Sequence, residues 1–192
     1  MKVLLLNPPT IDEKQFIREG RCTQEQGVWA TLWPPLSLAT MGAVLEEDGR
    51  TVQIVDCPAQ EISWTGLEQV ISTFSPDVVI WSTGTPSIQS DLSLASVVKG
   101  CDNRIATAVF GTHVTVFDKQ SLESFPDLDY VIRNEPEMTV RDLVRSLAQS
   151  SSLEGVSGLS FRNETGAVVI NPSRPFMADL DSLPLPSWHL LD

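Results

Sequence analysis

Histidine, cysteine and tyrosine are scarce in this chain, and its cations are outnumbered. It holds two histidines, three cysteines and one tyrosine in 192 residues. Cys22, Cys57 and Cys101 are odd in number and far apart, so they supply neither a disulfide framework nor a zinc or iron–sulfur ligand set. No residue is assigned as a metal ligand. Thirteen Lys and Arg face 25 Asp and Glu, a formal charge of -12, which repels polyanions and argues against a nucleic-acid partner. No apolar run approaches the about eighteen residues of a membrane span. The opening Met1–Pro9 carries one basic residue and a short apolar run cut by Asn7 and two prolines. It reads as a first strand rather than a secretory leader, which places the protein in the cytoplasm. Gly-x-Gly-x-x-Gly is missing, and so is Gly-x-x-x-x-Gly-Lys-Ser/Thr, so neither a nicotinamide or flavin fingerprint nor a nucleotide triphosphatase loop is present. No nucleophile–base pair stands out, because His189 lies in a proline-rich tail and His113 lacks a serine or thiol elbow.

What is present is an alternation. Lys2–Leu6, Thr51–Val55, Asp77–Trp81, Ile105–Phe110 and Leu128–Ile132 are short apolar runs, continuous rather than alternating, as expected of parallel strands covered on both faces. Helical patterns separate them: Pro35–Glu47, ended by Gly49; Gly66–Phe74, stopped by Pro76; Leu92–Lys99, with Gly100 as terminator; a short segment around Gln120–Phe125; and Thr139–Ala148. Strand–helix units at this spacing predict an α/β, doubly wound, mostly parallel sheet of about five strands, Rossmann-like or flavodoxin-like in layout. After residues 1–149 the character changes. Residues 150–192 read as a linker, a small hairpin (Gly158–Arg162 and Ala167–Asn171 around Asn163–Gly166) and a tail with four of the thirteen prolines. A hairpin of that size needs support, so it is expected to pack on the main sheet.

Ligands of such a sheet collect beyond the strand carboxyl ends, where strand order reverses. After the first strand come Asn7, Pro8 and Pro9, then a polar loop of about twenty-five residues, longer than connections usually are. It contains Gly27, Trp29 and Trp33, followed by Pro34; the tryptophans either cover a flat ligand or close the domain edge. Ser82-Thr83-Gly84-Thr85 follow the third strand, offering hydroxyls and close approach, or an ordinary capped turn. Gly111-Thr112-His113-Val114 follow the fourth, where an imidazole sits beside a glycine. Arg133-Asn134-Glu135-Pro136-Glu137 follow the fifth; Glu135 or Glu137 caps the next helix by default, with ligand contact added to that role. A bulky exchange at Gly111 is expected to weaken ligand binding and leave the fold intact.

The stretches Val3–Pro9 (VLLLNPP), Pro34–Gly49 (PPLSLATMGAVLEEDG), Val52–Asp56 (VQIVD), Gly111–Thr115 (GTHVT), Arg133–Glu137 (RNEPE), Val156–Arg162 (VSGLSFR) and Asp181–Trp188 (DSLPLPSW) together resemble the N-terminal cobalamin (B12)-binding domain of B12-dependent radical S-adenosylmethionine enzymes. The similar branch includes the anaerobic magnesium-protoporphyrin monomethyl ester oxidative cyclase and related methyltransferases. The resemblance implies cobalamin as cofactor, held by Pro8, Pro9, Trp33, Pro34, Ser82, Thr83, Gly84, Thr85, Gly111, Thr112, His113, Val114, Arg133, Asn134, Glu135 and Glu137. It also implies a downstream barrel as partner, carrying the S-adenosylmethionine and [4Fe–4S] sites, whose Cys-x-x-x-Cys-x-x-Cys is not in this sequence. Two departures matter. Asn7-Pro8-Pro9-Thr10 stands where related domains with a histidine below the cobalt carry Asp-x-His-x-x-Gly, so no lower ligand is assigned; His113 is the alternative if its loop reaches under the corrin. Asn134 stands where relatives often have glycine, and asparagine tolerates left-handed backbone. Two other readings stay open on the residues alone: a non-catalytic ligand-binding regulatory domain, and a small glycosyltransferase-like or nucleotide-handling enzyme.

Overall fold

The computed structural model describes residues 1–9, 16–18, 24–25 and 33–191. Its strands are β1 (Lys2–Asn7), β2 (Phe16–Ile17), β3 (Gln24–Glu25), β4 (Thr51–Asp56), β5 (Val78–Ser82), β6 (Ala106–Phe110), β7 (Tyr130–Ile132), β8 (Leu159–Arg162) and β9 (Val168–Ile170). Its helices are α1 (Leu36–Glu47), α2 (Trp64–Phe74), α3 (Ile88–Cys101), α4 (Thr112–Val116), α5 (Asp118–Ser124) and α6 (Pro136–Gln149). β2 and β3 form a two-residue antiparallel pair apart from the main sheet.

The main sheet has seven strands in the order β4-β1-β5-β6-β7-β8-β9. The first five are parallel, and β8 and β9 add antiparallel to the β7 edge. The expected doubly wound α/β layout is therefore present, with the hairpin continuing the sheet rather than lying on it. Alternation along each strand splits the core into two layers. Val3, Leu5, Ile54, Ile80 and Ile132 face α1 and α6. Leu4, Leu6, Val79, Trp81 and Val131 face α2, α3 and α5. Both faces are covered, which is why the strands read as unbroken apolar runs.

Local chemistry sets the helix ends. Ser63 accepts from the Gly66 amide at 3.2 Å and starts α2, and Ser75 ends it in left-handed geometry just before Pro76. Pro136 begins α6, where its missing N–H costs nothing. α3 departs from expectation: it starts four residues earlier than Leu92 and runs through Gly100 to Cys101. The reason is Asp91, which is fully buried on the helix's inner face, so a polar residue at a core position hides the first turn from an apolar pattern.

The proline-rich tail packs along α1. The Ser187 amide donates to the Ala39 carbonyl at 3.0 Å, and a Cβ on Gly42 would meet Leu190 Cδ1 at 3.3 Å. Among the described residues no helix is long and apolar enough to cross a membrane.

Candidate functional site

Strand order reverses between β4 and β5, on either side of β1, so the ligand crevice of this fold opens over the carboxyl ends of β1 and β5. Asn7, Pro8 and Pro9 form one rim and are buried. The other rim is Ser82, Thr83 and Gly84, also buried, followed by exposed Thr85. A polar network closes the floor between them. Asn7 Nδ2 donates to Asp56 Oδ1 at 2.8 Å. The Arg18 guanidinium donates to Asn7 Oδ1 and to the Pro8 carbonyl, each at 3.1 Å, and grips Asp91 with two further bonds of 3.0 and 2.7 Å. Asp91 Oδ2 also accepts from Thr83 Oγ1 at 2.8 Å and Ser87 Oγ at 2.6 Å. Burial pushes the Asp56 carboxyl above the usual carboxylate range, against bonds from Asn7 and the Ala59 amide and the Arg18 charge. Burial also raises the adjacent Cys57 thiol to about 12, which leaves it inert as a nucleophile.

Sequence reading missed Arg18, Asp91, Ser87 and Asp56 in this floor. Asp91, Ser87 and Asp56 gave one visible signal, a polar residue where a helix or strand end is otherwise apolar; Arg18, in a polar loop, gave none. The Thr83 hydroxyl gives its proton to Asp91, so towards any other group it can only accept. The Asp-x-His-x-x-Gly position is likewise filled, since both polar atoms of the Asn7 side chain are engaged.

The β5 and β6 loops are brought together. His113 Nδ1 lies 3.1 Å from Thr85 Oγ1, and the His113 ring tilts against Phe117 with centroids 4.9 Å apart. Thr112 opens α4, and Val114 packs in the core. Gly111 has φ +144, and a Cβ there would sit 2.2 Å from the Thr83 carbonyl oxygen. The expectation that a bulky residue at Gly111 leaves the fold intact is therefore corrected: the two loops touch through backbone, and even a methyl group collides.

Arg133–Glu137 lies further along the edge. Asn134 adopts φ 62, the left-handed geometry its place required, and its amide donates to Thr115 Oγ1 at 3.1 Å. Arg133 is buried; its guanidinium donates to the Asn171 carbonyl and lies 3.4 Å from Asp118 Oδ2. Glu135 makes no side-chain cap on α6; its carboxylate instead accepts from the Met177 amide at 2.9 Å. The default capping reading is corrected there: the Glu135 carboxylate is directed to the tail's Met177 amide and makes no cap bond. Glu137 sits in the first turn of α6, where negative charge suits the helix end. Glu135, Glu137, Met138, Arg174 and Met177 line a hollow of about 300 Å³.

Trp33 and Pro34 are exposed and line a different hollow of about 320 Å³ with Asp56 and Trp188. The sixteen expected residues thus fall in three places along one carboxyl edge, with the β5–β6 rim central. Gly27 and Trp29 lie outside the described residues. The donor set suits a ligand rich in amides: hydroxyls, an imidazole, carboxylates and backbone at strand ends. No cluster of three potential metal-ligating side chains occurs among the described residues.

The B12 binding domain family matches residues 27–144. An uncharacterized methyltransferase of Pyrococcus horikoshii is 31% identical over the whole of this chain, which spans 39% of that protein. The anaerobic magnesium-protoporphyrin IX monomethyl ester cyclase of Rubrivivax gelatinosus is 29% identical over 83% of this chain and 29% of its own length. Among solved structures, the cobalamin-dependent S-adenosylmethionine radical enzyme OxsB with aqua-cobalamin bound superposes with a TM-score of 0.77 at 19% identity, covering 99% of this chain and 24% of that one. The radical S-adenosylmethionine methyltransferase TsrM of Kitasatospora setae, with cobalamin and a [4Fe–4S] cluster bound, gives 0.69 at 17% identity over 97% and 31%. These two establish likeness of fold; the family match carries the assignment. The chain belongs to the B12 binding domain family and resembles the cobalamin-binding module of B12-dependent radical S-adenosylmethionine enzymes.

Proposed function

We propose that this chain is the cobalamin-holding module of a B12-dependent radical S-adenosylmethionine methyltransferase. The observation that carries this reading is the similarity to a methyltransferase along the entire chain, which nonetheless spans under two-fifths of that relative. When bound, cobalamin supplies a methyl carrier, and in this reading the methyl passes to a substrate radical. The S-adenosylmethionine and [4Fe–4S] sites belong to a radical-SAM barrel beyond residues 150–192, which serve as an extension towards it from the cobalamin domain of residues 1–149. The opening apolar run is an interior strand of the sheet, β1, and we place this work in the cytoplasm.

The residues assigned to the cofactor are those on the rims. Thr85 and His113 offer polar atoms to its carboxamides. Ser82 and Gly84 permit close approach. Thr112 and Val114 hold the His113 loop. Pro8 and Pro9 line the rim beyond β1. Asn134, Glu135 and Glu137 present the β7 end, and Arg133 braces it. Trp33 and Pro34 shield the flank from water. Asn7, already bonded through both polar atoms of its side chain, would not be free to serve as a ligand to the cofactor's metal.

The test is direct. The purified chain is mixed with hydroxocobalamin, the excess is removed, and the optical spectrum is recorded. Near-stoichiometric corrin absorbance is expected; complete loss in the wash would sink the proposal.

A further inference from the structure

Arg18 and Asp91 have no contact with bulk water to explain them. Their side chains are 1% and 0% exposed, and they lie 73 residues apart in sequence. Between them they hold both sides of the crevice. Arg18 reaches the β1 rim through Asn7 and Pro8. Asp91, on α3, reaches the β5 rim through Thr83 and the turn before α3 through Ser87. Asn7 extends the chain of bonds to Asp56 at the end of β4. One ion pair therefore spans the point where strand order reverses.

A buried ion pair of this kind is a poor device for stability. Its desolvation cost about equals its attraction, and apolar replacement of both partners is often neutral or stabilising. Its distinctive property is direction. The bidentate fork fixes the angle as well as the distance between the two groups, and the remaining donors lock the backbone on each side. An apolar pair of equal volume fills the space and fixes neither rim.

We propose that Arg18 and Asp91 are positioning residues for cobalamin: they hold Asn7–Pro8 and Thr83–Thr85 at the separation and orientation the cofactor needs before it arrives. Neither touches the cofactor; both act through the rims. Preorganisation of this kind lowers the ordering cost of binding. The proposal rests on the cobalamin reading above.

The experiment compares the parent chain with the double variant Arg18→Met/Asp91→Leu and with Ser87→Ala. Hydroxocobalamin is titrated at a temperature well below unfolding, and Tm is measured by circular dichroism in parallel. The double variant is expected to lose some Tm, because Asn7, Pro8, Thr83 and Ser87 lose buried partners, while at a temperature where it is fully folded its affinity falls about tenfold or more. A purely structural role moves Tm and leaves affinity alone. Parent-like affinity in the double variant overturns the proposal, whatever its Tm. Should the double variant fail to fold, Ser87→Ala decides: it keeps the ion pair and removes one anchor, so an affinity loss of about threefold supports the proposal and parent-like affinity overturns it. A parent chain that retains no corrin overturns the cofactor reading first, and this inference with it.

Discussion

Two buried arginines stand at the same sheet edge, and they are used differently. Arg18 makes four hydrogen bonds, to Asp91, Asn7 and Pro8, with near-ideal lengths. Arg133 makes one to the Asn171 carbonyl; its Nε has no acceptor within the described residues, although it lies 3.4 Å from Asp118. At 3.4 Å without a hydrogen bond, this second pair is attraction without direction. Asp118 meanwhile is taken by the Ser160 hydroxyl at 2.5 Å and the Lys119 amide at 2.7 Å. The Arg18 pair binds two rims of a crevice together. The Arg133 pair ties the added hairpin to β7 and α5. Burial of a charge does not reveal its purpose; the groups at its far end do.

The largest expected effect tests whether the β5–β6 rim is as closed as this comparison holds. Gly111→Ala places a methyl 2.2 Å from the Thr83 carbonyl oxygen and at φ +144. Backbone on one side must move, at a cost of about 3–5 kcal/mol. Urea unfolding of the apo chain should show a lower midpoint, in advance of any loss of corrin binding. A midpoint unchanged within error would mean the two loops are free to part, and would weaken the contrast with the β7 end.

Arg133→Met comes second. The hairpin loses its bond to Asn171, and Asp118 loses a nearby positive charge while keeping Ser160 and the Lys119 amide. The expected cost is about 2–3 kcal/mol, read by the same unfolding measurement. Faster amide exchange in β8 and β9 than in β1 would locate it. Exchange that rises equally in all strands would show that the hairpin and the parallel sheet unfold as one unit, and the division drawn between the two arginines would then fail.

Much of this is legible in the sequence. The five parallel strands follow from runs such as VLLL and VVIW, which only a doubly covered sheet accommodates. Asn134 was legible too, since a side chain that hydrogen-bonds locally suits the φ of 62 found there. The floor of the crevice was not. Arg18 is one cation in a polar loop, and nothing local distinguishes it from a solvated one. Its partner lies on another helix, at a position where a pattern search expects an apolar residue. A buried polar network is a tertiary fact: each member looks like an exception to its own element, and the exceptions make sense once they meet. The tail was illegible for the opposite reason. Its prolines prevent a period, and its contacts with α1 are single residues rather than a face.

The smallest effect concerns that tail. Burial acts to raise the Glu46 carboxyl, but bonds from Ser187 and His189, together with the His189 charge, bring it below its ordinary value of 4.5. A carboxylate whose folded pKa is depressed contributes its stabilisation above the unfolded value and loses it as pH falls through the lower folded one. Glu46 bonds His189 Nε2 at 3.1 Å, and His189 is two-thirds exposed, so solvent screens the contact and the effect is local. As the pH falls from the ordinary value of 4.5 through the lower folded one, the end of the tail should loosen from α1 while the sheet stays folded. The readout is exchange at the Ser187 amide, which donates to Ala39, corrected for the intrinsic pH dependence of exchange. Protection there should fall a few-fold over that window, with β1 protection unchanged. Glu46→Gln should start less protected and show no step. A step of the same size in Glu46→Gln would mean that another group governs the tail, and the strap along α1 would then be held by packing around Gly42 and Leu190 rather than by charge.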